Sequence, residues 1–254
     1  MAAVSRVAIF LDIDGVLCTH PNRLNQVERN RHEMKWTKVQ EELESDRANR
    51  ENYSQTDLSL LSSAITAGYF LDPGALQNLY AMIQKISRFA EPVIVITSSY
   101  RELCTSEDFK KRVFGNYPWL ADRIIGTTAE KEGLYKLRQK KSIHPPGETP
   151  HELYRKSYNG MNINYSRGRE IEGWLVQNRE RFHVQNYVVL DDCCHGRFEI
   201  SDLHPDNFVE INGQHLLTRE MASRAVKIAG KPFKSQTSHW AEGPGDAHDG
   251  RGKV

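Results

Sequence analysis

The chain has 254 residues, enough for one large domain or a core with an insertion, and its formal charge of +1 singles out no class of partner. No apolar run approaches the roughly 18 residues of a membrane span, so no membrane contact is expected. The first residues lack the basic, apolar and cleavage regions of a signal peptide. Four cysteines without Cys-x-x-Cys spacing suit free thiols in a reducing compartment, so a cytoplasmic location is expected.

The first predicted element is a buried strand, Val7-Ala8-Ile9-Phe10-Leu11, running into Asp12-Ile13-Asp14-Gly15-Val16-Leu17. Side chains alternate in extended chain, so Asp12 and Asp14 are expected to point the same way. Gly15 permits a sharp turn and close approach of a ligand to the backbone. Two carboxylates this close call for a cation, and a hard ion with oxygen ligands, Mg²⁺ above all, suits them. A calcium loop would need further oxygen ligands and a late Glu, where Val16 and Leu17 stand instead. A solvated polar turn or a pair of helix-capping carboxylates are the plainer alternatives.

Residues 18 to about 56 are polar and densely charged. Met34, Trp36, Val39 and Leu43 give a thin apolar stripe at helical spacing. The segment 18–68 leaves directly from the Asp12–Asp14 turn and is expected to be a helical cap insertion, with a solvated helix as the alternative. Near Tyr69 the core resumes. Asp72 as N-cap and Pro73 at the first position start a helix carrying Leu76, Leu79, Tyr80, Ile83 and Ile86. A second buried strand, Pro92–Ile96, ends in Thr97-Ser98-Ser99-Tyr100-Arg101.

Residues 131–181 carry 11 Lys/Arg against 6 Asp/Glu. Within them 131–165 reads as a basic loop insertion, with Pro145-Pro146-Gly147 and Asn159-Gly160 as turn signals. A helix headed by Ser166 follows, with Ile171, Trp174 and Leu175 on its buried face. Arg167 falls four residues before Ile171 and seven before Trp174, on that same face, whereas Arg169 shares a face with Gly173 and Val176. The strand Tyr187–Leu190 ends in Asp191-Asp192. Cys193-Cys194-His195 crowds three possible zinc ligands on one turn with no second pair elsewhere, which disfavours zinc. A further strand is predicted at Asn207–Ile211, turned by Asn212-Gly213. Thr218 then caps a helix ending at Gly230, and 231–254 is expected to be a disordered tail.

Apolar strands alternating with helices predict an α/β fold: a Rossmann-like parallel sheet with helices on both faces, formed by 1–17 and 69–230. Ligands bind such sheets beyond the carboxyl ends of the strands, where all the polar motifs fall.

Together these motifs resemble the haloacid dehalogenase-like (HAD) superfamily. Asp12-Ile13-Asp14-Gly15 matches its first motif, Thr97 its second and Asp191-Asp192 its fourth. Thr97–Arg101, Arg167–Leu175 and Val189–Asp192 resemble, more narrowly, the branch named for Swiss-army-knife RNA repair proteins. Tyr100 stands where that branch usually shows Trp, and the insertions at 18–56 and about 131–165 have no counterpart. The resemblance implies a Mg²⁺-dependent phosphomonoester hydrolase acting through an aspartyl-phosphate. Asp12 would be the nucleophile and Asp14 the general acid and base. Thr97, or Ser98, would donate to a phosphoryl oxygen. Arg167 would be the cation of the third motif, with a lysine such as Lys156 as the alternative. Asp12, Asp14, Asp191 and Asp192 would form the metal site. The substrate expected is a phosphorylated small molecule or nucleotide, with a polynucleotide end as an alternative. A non-catalytic phosphate-binding module is the rival from another class.

Overall fold

The computed structural model describes residues 5–20, 23–45, 55–102, 104–128, 167–192, 205–211 and 215–231. Five strands form one sheet: β1 Arg6–Leu11, β2 Glu91–Ile96, β3 Ile124–Thr127, β4 Val184–Asp191 and β5 Phe208–Glu210. Their order is β3-β2-β1-β4-β5, and every neighbouring pair is parallel. The strand with the strongest apolar run, β1, lies in the centre. Its Ile9, Phe10 and Leu11 are fully buried. Burying each such side chain stabilises the fold by about 1.5–3 kcal/mol.

The pleat divides the core in two. Ile9, Leu11, Ile94, Ile96, Val188 and Leu190 face one apolar cluster. Ala8, Phe10, Val93, Val95, Tyr187 and Val189 face the other. Between β1 and β2 lie α1 (Gln26–Ser45), α2 (Gln55–Tyr69) and α3 (Pro73–Ile86), all contributing to the first cluster. Between β3 and β4 lies α4 (Arg167–Asn178), and its Ile171, Trp174 and Leu175 cover the second. The chain moves outward from β1 to β3, then crosses back to β4. Reversing direction while keeping one hand of crossover puts the return helix on the opposite face. The last helix among the described residues, α5 (Arg219–Ala229), returns to the first face and packs on α3.

The predicted caps are present. Asp72 accepts a hydrogen bond from the Ala75 amide at 2.7 Å, and Thr218 accepts one from Met221 at 3.3 Å. Such a cap stabilises its helix by about 1 kcal/mol. Leu76, Leu79, Ile83 and Ile86 of α3 are buried as predicted, whereas Tyr80 is 44% exposed and sets its ring edge-on to Trp119.

Several elements depart from the sequence reading. The 18–68 segment contains α2, which was not foreseen. Leu61, Ala64, Ile65 and Ala67 of α2 join Val39 and Leu43 of α1 in the first core cluster. Met34, placed in the α1 stripe by periodicity, is 75% exposed. α2 rests on α1 and on a turn of π-helix at Phe109–Val113. A side chain at Gly68 would meet the Val113 carbonyl at 2.6 Å, so this crossing needs glycine. β3 was also not foreseen: it has four residues, one of them Gly126, too short for an alternation signal. Lys231, predicted as the first tail residue, has its carbonyl bound by Asn186 Nδ2 at 2.7 Å. The predicted basic loop 131–165, the Cys193-Cys194-His195 turn, Asn212-Gly213 and residues 232–254 lie outside the described residues. Among the described residues, no helix is long and apolar enough to cross a membrane.

Candidate active site

Strand order reverses between β1 and β4: the chain goes on from β1 to β2 on one side and from β4 to β5 on the other. In open α/β sheets the crevice beyond the carboxyl ends at such a point receives the ligand. Three strand ends are tied together there. The Asp12 amide donates to the Leu190 carbonyl at 3.0 Å, and the Thr97 amide to the Leu11 carbonyl at 2.9 Å. These bonds bring the residues after β1, after β2 and at the end of β4 into one place.

Asp12 is buried, 3% exposed. Its Oδ1 accepts from the Ile13 amide at 2.8 Å, and its Oδ2 accepts from Arg167 Nη1 at 2.7 Å. The same Nη1 lies 2.5 Å from Asp191 Oδ2. Arg167 opens α4 and is itself 5% exposed. It stands on the inward face with Ile171 and Trp174, as helical phase predicts, and bridges the ends of β1 and β4. Oxygens of Asp12, Asp191 and Asp192 lie within 4.8 Å of one another.

Asp14 stands apart from that group. The sequence reading put its carboxylate among the metal ligands, on the argument that an extended chain aims residues 12 and 14 alike. The chain stops being extended at this point. The Leu17 amide donates to the Ile13 carbonyl at 2.8 Å and the Gly15 amide to the Cys18 carbonyl at 2.8 Å, folding 13–18 into a tight turn. The Asp14 carboxylate accepts from Cys18 Sγ at 3.3 Å and from the Tyr100 hydroxyl. Burial pushes the Asp14 carboxyl up from its ordinary range. The Tyr100 hydrogen bond works against that shift, and the charge of Asp12 adds to it. Burial, then the Asp14 charge, pushes the Cys18 thiol and the Tyr100 phenol well above their ordinary values. Both therefore remain neutral donors. Neither contact was foreseen, although Cys18 sits only four residues from Asp14.

Gly15 has φ +75°, a conformation that costs other residues about 1–2 kcal/mol. A Cβ there would fall 2.0 Å from Asp192 Oδ2 and 2.8 Å from Asp192 Cβ. Gly15→Ala must therefore displace Asp192 as well as strain the turn. The expected result is a lower Tm together with a higher Mg²⁺ requirement, read from melting curves and from a Mg²⁺ titration of activity. A lower Tm with unchanged Mg²⁺ response would separate the glycine from the acidic cluster.

Thr97 and Ser98, at the end of β2, are fully buried. Among the described residues their hydroxyls have no hydrogen-bond partner. Leaving a buried hydroxyl unpaired costs about 1–3 kcal/mol, so a ligand oxygen is the natural acceptor. The residues present also fit a metal ion. Among the described residues of the cluster, three carboxylates facing one guanidinium leave two negative charges, as a divalent cation requires. Carboxylate oxygens are hard ligands and suit a hard cation over a soft one. The other described cysteine, Cys104, is buried, as Cys18 is.

Arg167→Ala should cost on the order of 2–4 kcal/mol of transition-state stabilisation, the range for removing an electrostatic donor. Arg169→Ala should cost much less. Steady-state kinetics of the two variants checks the ranking, and the reverse order would mean that the bridge to Asp12 has no catalytic role.

A parallel sheet with an aspartate after its central strand, paired hydroxyls after the next strand, a cation opening the return helix and an acidic pair ending β4 defines a HAD-type hydrolase domain. The chain belongs to the family described as HAD domain in Swiss Army Knife RNA repair proteins, which it matches over residues 8–222. No curated protein and no solved structure matches it. Membership supports a phosphohydrolase of the HAD type, a family that typically uses a metal ion, and the buried Asp12, Asp191 and Asp192 fit such a site.

Proposed function

We propose that the protein is a Mg²⁺-dependent phosphomonoester hydrolase that works through an aspartyl-phosphate on Asp12. The observation that carries this reading is the contrast between two carboxyls two residues apart. Asp12 lies against a guanidinium, while Asp14 is partly buried against a thiol and a phenol and its carboxyl is raised. Divergent surroundings of neighbouring carboxyls assign nucleophile and acid.

In the first step an Asp12 oxygen attacks phosphorus and the bond to the leaving oxygen breaks. Asp14 gives its proton to that oxygen. In the second step Asp14, now a carboxylate, takes a proton from water. The hydroxide attacks phosphorus, phosphate departs and the Asp12 carboxylate is restored. Thr97 and Ser98 hydroxyls donate to phosphoryl oxygens, and Arg167 holds Asp12 in place against the incoming anion. Asp12, Asp191 and Asp192 would hold Mg²⁺, which supplies positive charge against the phosphoryl group when bound.

Phosphate release from a panel of phosphomonoesters, with and without Mg²⁺, tests the reading. No release from any ester by a folded protein that still binds phosphate would favour the non-catalytic module.

A second reading narrows the substrate to nucleotides or polynucleotide ends. Two things support it: the RNA-repair description of the family and the basic excess across 131–181. On this reading, 1–17 and 69–230 supply the chemistry, while 18–68 as cap and 131–165 as basic loop choose the substrate. Oligonucleotide ends should then outcompete sugar phosphates, with an affinity that falls as salt rises. The free thiol of Cys18 supports a cytoplasmic setting.

A further inference from the structure

We infer that Arg101 and Glu170 form a clamp that sets the distance between the Thr97–Ser98 turn and Arg167, and so positions the phosphate-binding groups; the inference rests on the phosphohydrolase reading above. Arg101 lies in a short 3₁₀ turn, Ser99–Glu102, directly after those hydroxyls. It is 5% exposed. Its Nη1 donates to the Thr97 carbonyl at 2.8 Å and to the Ser98 carbonyl at 3.0 Å. Its Nε donates to Glu170 Oε2 at 2.8 Å, and its Nη2 reaches the same oxygen.

Each end of the clamp touches a part of the site. The two carbonyls belong to the residues whose buried hydroxyls await an acceptor. They lie beyond the last rung of β2, where a backbone carbonyl must find a donor outside the sheet. Glu170 sits three residues after Arg167 on α4, and residues at that spacing are neighbours on a helix surface. Thr128, just past β3, also donates to Glu170 Oε2, at 3.4 Å. The ion pair therefore ties the end of β2, and the Thr128 bond the end of β3, to the start of the helix that carries Arg167. A buried ion pair is weak support for stability alone, since apolar residues often do as well. The planar fork of arginine can satisfy two carbonyls and a carboxylate at once, which lysine cannot. Arg101 and Glu170 are positioning residues: neither is among the groups proposed to touch the phosphoryl oxygens.

The probe is inorganic phosphate, the expected product, bound to the full chain in the presence of Mg²⁺. Its affinity is read by the shift in Tm that it produces and by its inhibition constant. Glu170→Gln and Arg101→Lys should each weaken phosphate about tenfold or more, as loss of a partner behind the binding groups does, with the Mg²⁺ requirement unmoved. The double variant should lose little beyond the worse single one, because partners of one interaction are not additive. Unchanged phosphate affinity in the folded single variants, or losses that multiply, would overturn the clamp. Where a single variant does not fold, the exchanged pair Arg101→Glu with Glu170→Arg decides. It restores opposite charges but removes the side-chain donor from the Thr97 carbonyl and leaves the Ser98 carbonyl only the residue 101 backbone amide, at 2.9 Å, so Tm should recover and phosphate affinity should not. Recovery of both would reduce the pair to a structural ion pair and overturn the inference. A wild type that binds phosphate but releases none from any ester sinks the hydrolase reading and leaves the clamp standing. A wild type that does neither overturns both.

Discussion

Asp12→Asn should leave a folded protein that releases no phosphate. The Asp12 carboxylate accepts from the Ile13 amide and from Arg167 through separate oxygens, at 2.8 and 2.7 Å, so the single amide oxygen keeps one of these contacts and the amide NH2 faces the other donor. One negative charge is removed from a cluster in which three buried carboxylates lie together, which relieves repulsion and offsets the weakened pairing to Arg167. The fold is therefore expected to survive with a Tm close to that of the wild type. Chemistry should not survive, because an amide cannot form the acyl phosphate. Removing a covalent nucleophile lowers kcat by about 10⁴-fold or more. Phosphate release measured on purified Asp12→Asn protein checks this. Turnover within tenfold of the wild type would sink covalent catalysis by Asp12.

Chelation should have an effect of similar size. EDTA should silence activity and added Mg²⁺ should restore it. Without a cation, the incoming phosphoryl dianion meets Asp12, Asp191 and Asp192, all 9% exposed or less, where poor screening makes like charges costly. Asp191→Ala should raise the Mg²⁺ requirement by more than about 100-fold, beyond the 10–100-fold of a group that acts behind the ligands. Asp192→Ala should raise it less. The two variants differ in a second respect. Asp191 also accepts from Arg167, so its loss releases the guanidinium that holds Asp12, and high Mg²⁺ should restore kcat only in part. Mg²⁺ titrations of the two variants separate these outcomes. Activity indifferent to chelation would count against the metal site as a whole.

The features legible in the sequence are those set by near neighbours along the chain. A continuous apolar run marks a strand buried on both faces, and β1, β2 and β4 stand where such runs occur. Asp72 and Thr218 are caps because a short polar side chain one residue before a helix reaches the free amides of its first turn. Arg167 was chosen over Arg169 by helical phase alone, and it is the residue found against Asp12. In each case the deciding interaction spans four residues or fewer, or repeats with the period of the element.

What only the tertiary structure decided lies between elements or depends on a turn. Whether the apolar residues of α2 pack inward is set by α1 and the Phe109–Val113 turn, not by their own spacing. The departure of Asp14 from the acidic cluster follows from the hydrogen bonds that close residues 13–18 into a turn. Strand alternation said nothing of where that alternation ends. Arg101 and Glu170 stand 69 residues apart, and Arg167 and Asp12 stand 155 apart. A charged side chain can pair with any opposite charge that the fold brings near, and one chain offers many. The sequence determined which groups reach the carboxyl edge of the sheet. Packing of α4 against that sheet decided which of them meet, because only closure of the long crossover brings one guanidinium between the ends of β1 and β4.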